Sequence, residues 1–175
     1  MSAYVVTSDA GRSILNDFVI FKLGTEQTRQ TLSIVEHVLA PGELGSPMHT
    51  HRREDEYSFV LEGELTALIG GELVKAKPGD LVLKPRDIPH SFFNQGDSPM
   101  RILEIIAPGD FEHYFDELAE IITAGQGRPD PAALMALAGR YGLEMDLAST
   151  PALIEQYGVK LRGSAAKPAQ AGEPL

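Results

Sequence analysis

From Phe18 to Ala107 the apolar residues fall in short runs separated by Gly and Pro, which is the pattern of strands and tight turns. Phe18-Val19-Ile20-Phe21 is a β-favouring run, and Thr31 to Leu39 is a second, rich in Leu, Ile and Val. In Tyr57-Ser58-Phe59-Val60-Leu61 aromatic and apolar residues recur at alternate positions. Leu65 to Ile69 and Leu73 to Ala76 flank Gly70-Gly71, a pair suited to the positive φ angles of a hairpin turn. Pro78-Gly79 fits the two central positions of a type II turn. Leu81 to Leu83, His90 to Asn94 and Arg101 to Ala107 complete the set. Many short strands joined by regular turns predict an all-β barrel or sandwich.

After Pro108-Gly109 the period changes. Phe111, Phe115, Leu118, Ile121 and Ile122 recur at helical spacing with acidic residues between them, and Asp110 is the expected N-cap. Asp130-Pro131, a cap residue before a proline at the first helical position, starts a second helix that ends near Tyr141-Gly142. Thr150-Pro151 repeats the signal for a short helix to Tyr157. The division expected is therefore a barrel with its N-terminal strands over 1–107, then helices over 108–162 packed on the barrel or on a partner subunit. The small and polar residues of 163–175 predict a disordered tail.

Composition narrows the partners. The chain has 175 residues and a formal net charge of −10, with a pI near 4.9. Such a surface repels phosphate backbones and anionic lipids, so neither nucleic acid nor a membrane is an expected partner. With no Cys, thiolate metal sites, disulfides and cysteine nucleophiles are excluded. The N-terminus shows no basic stretch followed by a long apolar run, which makes the cytoplasm the default expectation.

The chemistry lies in the histidines. His49 and His51 stand at i and i+2, which on a strand places both on one face about 6.6–7 Å apart. Imidazoles so placed converge on one ion, and a carboxylate a few residues later can add an oxygen ligand. His90, on a distant strand, would close the site. Three neutral imidazoles and one carboxylate suit iron, nickel, manganese, cobalt, copper or zinc. Four protein donors leave two octahedral positions open.

These residues fall in two segments that resemble the paired motifs of the cupin superfamily. The first is Gly42…His49-Thr50-His51…Glu56…Gly63, and the second, fifteen residues later, is Gly79…Pro85…His90…Asn94. Two departures lie in turns: one extra residue between Gly42 and His49, and Asp87 where Gly is usual. The resemblance implies a jelly-roll β-barrel with a helical C-terminal extension and one divalent transition metal ion held by His49, His51, Glu56 and His90. Of the three neighbouring acids, spacing to Gly63 selects Glu56. Glu54 and Asp55 then read as solvated charges paired with Arg52 or Arg53.

Within the superfamily the single-domain form with a helical extension resembles quercetinase-like dioxygenases. That implies a metal-dependent oxidoreductase acting on a small aromatic or enol substrate, with Glu56 also taking the substrate's proton. A cupin isomerase or decarboxylase would use much the same site, and a non-catalytic metal-binding or ligand-binding barrel is the reading from another class. The resemblance further implies a homodimer. Elsewhere, His37 is expected as a hydrogen-bonded barrel residue and His113 as a surface residue. Phe59, Phe92, Phe93, Met48 and Met100 are pocket or core residues, and Arg52, Lys84 and Arg86 read equally well as cations that draw an anionic substrate to the mouth or as a solvated, salt-bridged rim.

Overall fold

The computed structural model describes residues 5–126 and 128–162. Two sheets face each other. One has the strand order β1 (Arg12–Ile14), β2 (Val19–Leu23), β3 (Ser33–Leu39), β11 (Met100–Ala107), β6 (Asp55–Glu62) and β9 (Leu81–Lys84). The other is centred on β10 (His90–Phe93), which pairs on one side with β7 (Leu65–Ile69), itself paired with β8 (Glu72–Ala76). On its other side β10 pairs with two short strands in turn, β4 (Glu43–Leu44) and β5 (Met48–His51). This is the expected all-β jelly roll.

The turns follow from their residues. Gly70 and Gly71 close the β7–β8 hairpin with φ of 58° and 90°, and Gly79 has φ of 94°. Gly63 has φ of 72°, and a Cβ there would lie 2.4 Å from the Pro99 carbonyl oxygen, so only glycine fits. Asp87 occupies the left-handed region at φ 63°, a conformation Asp tolerates better than most residues. The extra residue before His49 is absorbed where β4 passes into β5. Leu44 lies opposite Phe93 and His49 opposite His90, so this edge carries two more residues than β10 between the pairs.

The C-terminal segment departs from the expectation of helices alone. Helices α2 (Glu112–Ala124), α3 (Pro131–Arg140) and α4 (Thr150–Tyr157) form, preceded by a four-residue α1 (Thr25–Thr28) near the N-terminus. Between α3 and α4, β12 (Leu143–Asp146) pairs antiparallel with β5, placing Leu143 opposite His51 and Met145 opposite His49. After α4, β13 (Lys160–Leu161) pairs with β4. The extension thus completes the edge of the second sheet, beside the histidine strand. Asp130 caps α3 as expected, its carboxylate accepting from the Ala132 amide at 3.0 Å. Asp110 does not cap α2. Its φ is 94°, and the Glu112 side chain instead accepts from the Asp110 and Thr25 amides.

Three apolar clusters hold these parts together. Leu39, Val60, Leu65, Phe92, Met100 and Ile102 fill the barrel. A second cluster joins Val19, Val35 and Ile106 of the first sheet to Phe111, Phe115 and Leu137 of the extension. Leu44 and Phe93 carry α4 through Leu153. Each such side chain contributes about 1.5–3 kcal/mol when fully buried. Among the described residues no helix is long and apolar enough to cross a membrane. The expected tail at 163–175 lies outside the described residues.

Candidate metal centre

His49, His51 and His90 come from the second sheet and Glu56 from the first, so the two sheets meet at this group. All four residues are buried, and their prospective ligand atoms lie within 4.8 Å of one another. Donors bound at about 2.0–2.2 Å stand roughly 3–4.4 Å apart around one ion. The observed spread needs only a slight contraction. Glu56 sits between two imidazoles, with Oε1 3.4 Å from His51 Nε2 and Oε2 3.1 Å from His90 Nε2.

Each histidine is held by its other ring nitrogen. His49 Nδ1 lies 2.9 Å from the Pro47 carbonyl oxygen and His90 Nδ1 2.9 Å from that of Ile88. His51 Nδ1 lies 3.3 Å from Glu54 Oε2. These acceptors favour the tautomer protonated at Nδ1, which leaves each Nε2 lone pair free to ligate. Burial, helped by the neighbouring His90 and His51, drives the His49 pKa well below its ordinary value and keeps that ring neutral. The donor set therefore fits a divalent ion both in chemistry and in protonation.

A buried cation stands behind Glu56. Lys84 Nζ is 2.9 Å from Glu56 Oε2 and 2.7 Å from Glu104 Oε2, with its side chain 1% exposed. Ser58 Oγ donates to Glu104 at 2.9 Å. Burial alone would raise Glu56, but Lys84, His51 and His90 outweigh it and hold the carboxyl well below its usual range. Burial opposes the charge on Lys84 as well, and the two carboxylates outweigh it, so its pKa is raised. Glu104 is pushed up to about 7 by burial, against the pull of Lys84.

The group opens on a cavity of about 750 Å³ between barrel and extension. Phe18, His37 and Phe92 line it from the barrel, and Phe115, Leu143 and Ile154 from the extension. Gly45 matters here, because a Cβ at that position would lie 2.4 Å from the Phe92 ring.

The structure thus brings together all four residues singled out from the sequence, and it corrects several of their neighbours. Glu54 is 5% exposed and orients His51 instead of sitting in solvent. Asp55 pairs with Arg86 at 2.7 Å, and Arg52 with Asp87 and Glu144, each at 2.7 Å. Lys84 leaves the expected rim for the interior. Phe59 alternates with buried Ser58 and Val60 and so faces away from the site, while Phe93 and Met100 are core. Met48 is half-buried and lines a smaller neighbouring cavity. His113 is exposed as expected, and His37 is buried but also lines the main cavity. Sequence reasoning missed Glu104 and the wall strand β12. The alternation Leu143-Glu144-Met145-Asp146 after Gly142 was the available signal for β12.

Comparison with known proteins agrees with the motif resemblance. A family model described as a cupin domain matches residues 35–106. The tetracenomycin polyketide synthase protein TcmJ of Streptomyces glaucescens is 32% identical over 79 residues, 45% of this chain and 52% of that protein. An uncharacterised protein of Methanocaldococcus jannaschii is 28% identical over 88 residues, covering 50% of this chain and 69% of its own length. The chain thus spans about half the length of the first relative. Among solved structures, one described as a predicted oxalate decarboxylase from Thermotoga maritima is 25% identical, with a TM-score of 0.49. It covers 51% of this chain and 78% of its own. A salicylate 1,2-dioxygenase variant from Pseudoaminobacter salicylatoxidans is 30% identical with a TM-score of 0.43, over 50% of this chain and 25% of its own.

Proposed function

Residues 35–106 of this chain are a cupin domain, and from that premise we propose that the protein is a metal-dependent enzyme acting on a small aromatic or enol substrate. The reaction favoured is a quercetinase-like dioxygenation. His49, His51, Glu56 and His90 are the ligands of one divalent transition metal ion in this reading. The observation that carries it is a buried group of three pre-oriented imidazoles and one carboxylate on the wall of an apolar cavity. A bound ion supplies Lewis-acid polarisation of a substrate oxygen. The link of the S. glaucescens relative to polyketide synthesis supports an enolisable substrate.

The chain's own residues do the rest. The cavity walls strip water from the substrate and hold its apolar body against the His/Glu group. Glu56, kept ionised by Lys84 and the imidazoles, meets the substrate hydroxyl as an acceptor and takes its proton. Lys84, fixed by Glu104, keeps Glu56 Oε2 in place during that transfer.

The outer face of the first sheet is proposed as the seat of a homodimer. Tyr57 and Phe59 on β6 lie opposite Leu83 and Leu81 on β9, and also opposite Ile105 and Leu103 on β11. Leu81 and Leu83 are 57% and 49% exposed. An apolar patch continuous across three strands marks an interaction surface.

The test is elemental analysis joined to oxygen uptake on a panel of flavonols and simple enols. Stoichiometric metal with uptake supports the proposal. Metal without uptake moves the assignment to an isomerase, a decarboxylase or a binding barrel, and absence of metal after reconstitution with each candidate ion overturns the metal site.

A further inference from the structure

We propose that His37 is a specificity-determining residue that accepts a hydrogen bond from a hydroxyl at the far end of the substrate, and that the cavity takes an elongated, uncharged, hydroxylated aromatic molecule. This rests on the reading of the His/Glu group as the reacting end.

His37 is 3% exposed and lies among the rings of Phe18, Phe92 and Phe115, at centroid distances of 4.8, 5.5 and 5.6 Å. All four residues line the cavity. His37 Nδ1 lies 3.3 Å from the Phe18 carbonyl oxygen, and that contact places the proton on Nδ1. Nε2 is then an acceptor, and among the described residues nothing donates to it. Burial, with Lys84 adding to it, pushes the His37 pKa down to about 4, so the ring presents a lone pair and no charge at neutral pH. The Nε2 lone pair is left to the cavity, and a ligand hydroxyl donating to it makes a hydrogen bond in aromatic surroundings, where such a bond is stronger than in water.

The chemistry of the donor follows from the surroundings. A carboxylate here would face the Nε2 lone pair and would lose its hydration to aromatic walls. An ammonium group would meet the same walls, and both nearby carboxylates, Glu56 and Glu104, are already bonded to Lys84. A neutral hydroxyl meets the acceptor without either loss.

Length follows from register. His37 lies opposite Ile102 on β11, and Glu56 lies opposite Ile106 of the same strand. Four residues of strand separate the two rows, on the order of 13 Å of backbone. A molecule that touches both groups spans these rows, as linked or fused rings do. The remaining walls are mainly apolar, with Leu143 and Ile154 of the extension among them and Ser46, Thr150 and Glu104 as the polar exceptions, so most of the middle of the molecule carries little polarity.

The test is calorimetric binding of 4-hydroxybiphenyl, 4-methylbiphenyl and biphenyl-4-carboxylate to the full chain, metal-free and metal-loaded. The wild type should bind the hydroxy probe about tenfold more tightly than the methyl probe, and the carboxylate most weakly. His37→Leu should erase the hydroxyl preference while keeping affinity for the methyl probe, and His37→Gln, which retains an acceptor, should restore part of it. A preference that survives in His37→Leu, equal binding of the hydroxy and methyl probes by the wild type, or binding of none of the three overturns the inference. The metal-free arm separates the two proposals. A His37-dependent preference in a protein that takes up no metal sustains this inference and sinks the metal site, and metal with oxygen uptake but no such preference does the reverse.

Discussion

Along β6 the residues that point into the barrel are Glu56, Ser58 and Val60, and those that point out are Tyr57, Phe59 and Leu61. The neighbouring strands continue the contrast. Lys84 and Glu104 face in, while Leu81, Leu83, Leu103 and Ile105 face out. An ordinary half-buried sheet puts its apolar residues inside and its polar ones in water. Here the inner face near the His/Glu group is charged and the outer face is apolar. The difference teaches that each face has a job other than filling a core. Inside, Lys84 and Glu104 hold Glu56 of the His/Glu group in place, and outside, the apolar residues form the surface proposed above for the homodimer.

The inner face breaks hardest at Lys84. Lys84→Met leaves Glu56 and Glu104 buried without their cation and should cost about 3–5 kcal/mol of stability, read as a lowered urea midpoint. Adding Glu104→Gln should recover part of that loss, because one uncompensated charge goes with it. Recovery to no degree would mean that the three groups do not act as a unit.

The outer face breaks at β9. Leu81→Glu with Leu83→Glu should convert a dimer of twice 19.0 kDa to a monomer by light scattering, with the fold unchanged by circular dichroism. A wild type that runs as a monomer at every concentration would remove the explanation of that face.

A smaller effect sharpens the contrast between charged and neutral groups inside. The folded pKa of His37, about 4, lies below the ordinary value of 6.5, so the neutral ring supports the fold above pH 6.5. That contribution is lost as pH falls through 4, and it amounts to about 3 kcal/mol at most. His37→Gln should therefore flatten part of the fall in urea midpoint between pH 6.5 and 4. Glu104 runs the opposite way. Its folded pKa is raised to about 7, so its support is complete at acid pH and is lost as pH rises toward 7. The smallest effect is expected at the exposed Arg52, where Arg52→Ala should leave the midpoint unchanged within error.

Much of this was legible in the sequence because strand alternation and ligand spacing are local. His49 and His51 share a face by period alone, and Gly70-Gly71 and Pro78-Gly79 announce their turns. Motif spacing placed Glu56 and His90. What could not be read depended on long-range register. Glu104 looks like any alternating residue of an apolar strand until β11 sets it beside Ser58 and Lys84. Glu54 reads as solvated until its carboxylate meets His51. The strand β12 is only four residues long and is fixed by pairing with β5, a partner more than ninety residues earlier in the chain. His37 read as structural because nothing local shows that a cavity adjoins it.

The most direct test of the central claim is metal content by elemental analysis, after reconstitution, of the wild type beside His49→Ala and His90→Ala. One equivalent of a divalent transition metal in the wild type, sharply reduced in both variants with circular dichroism preserved, is the predicted result. Full occupancy in either variant, or none in the wild type, would contradict the assignment of His49, His51, Glu56 and His90 as a metal centre.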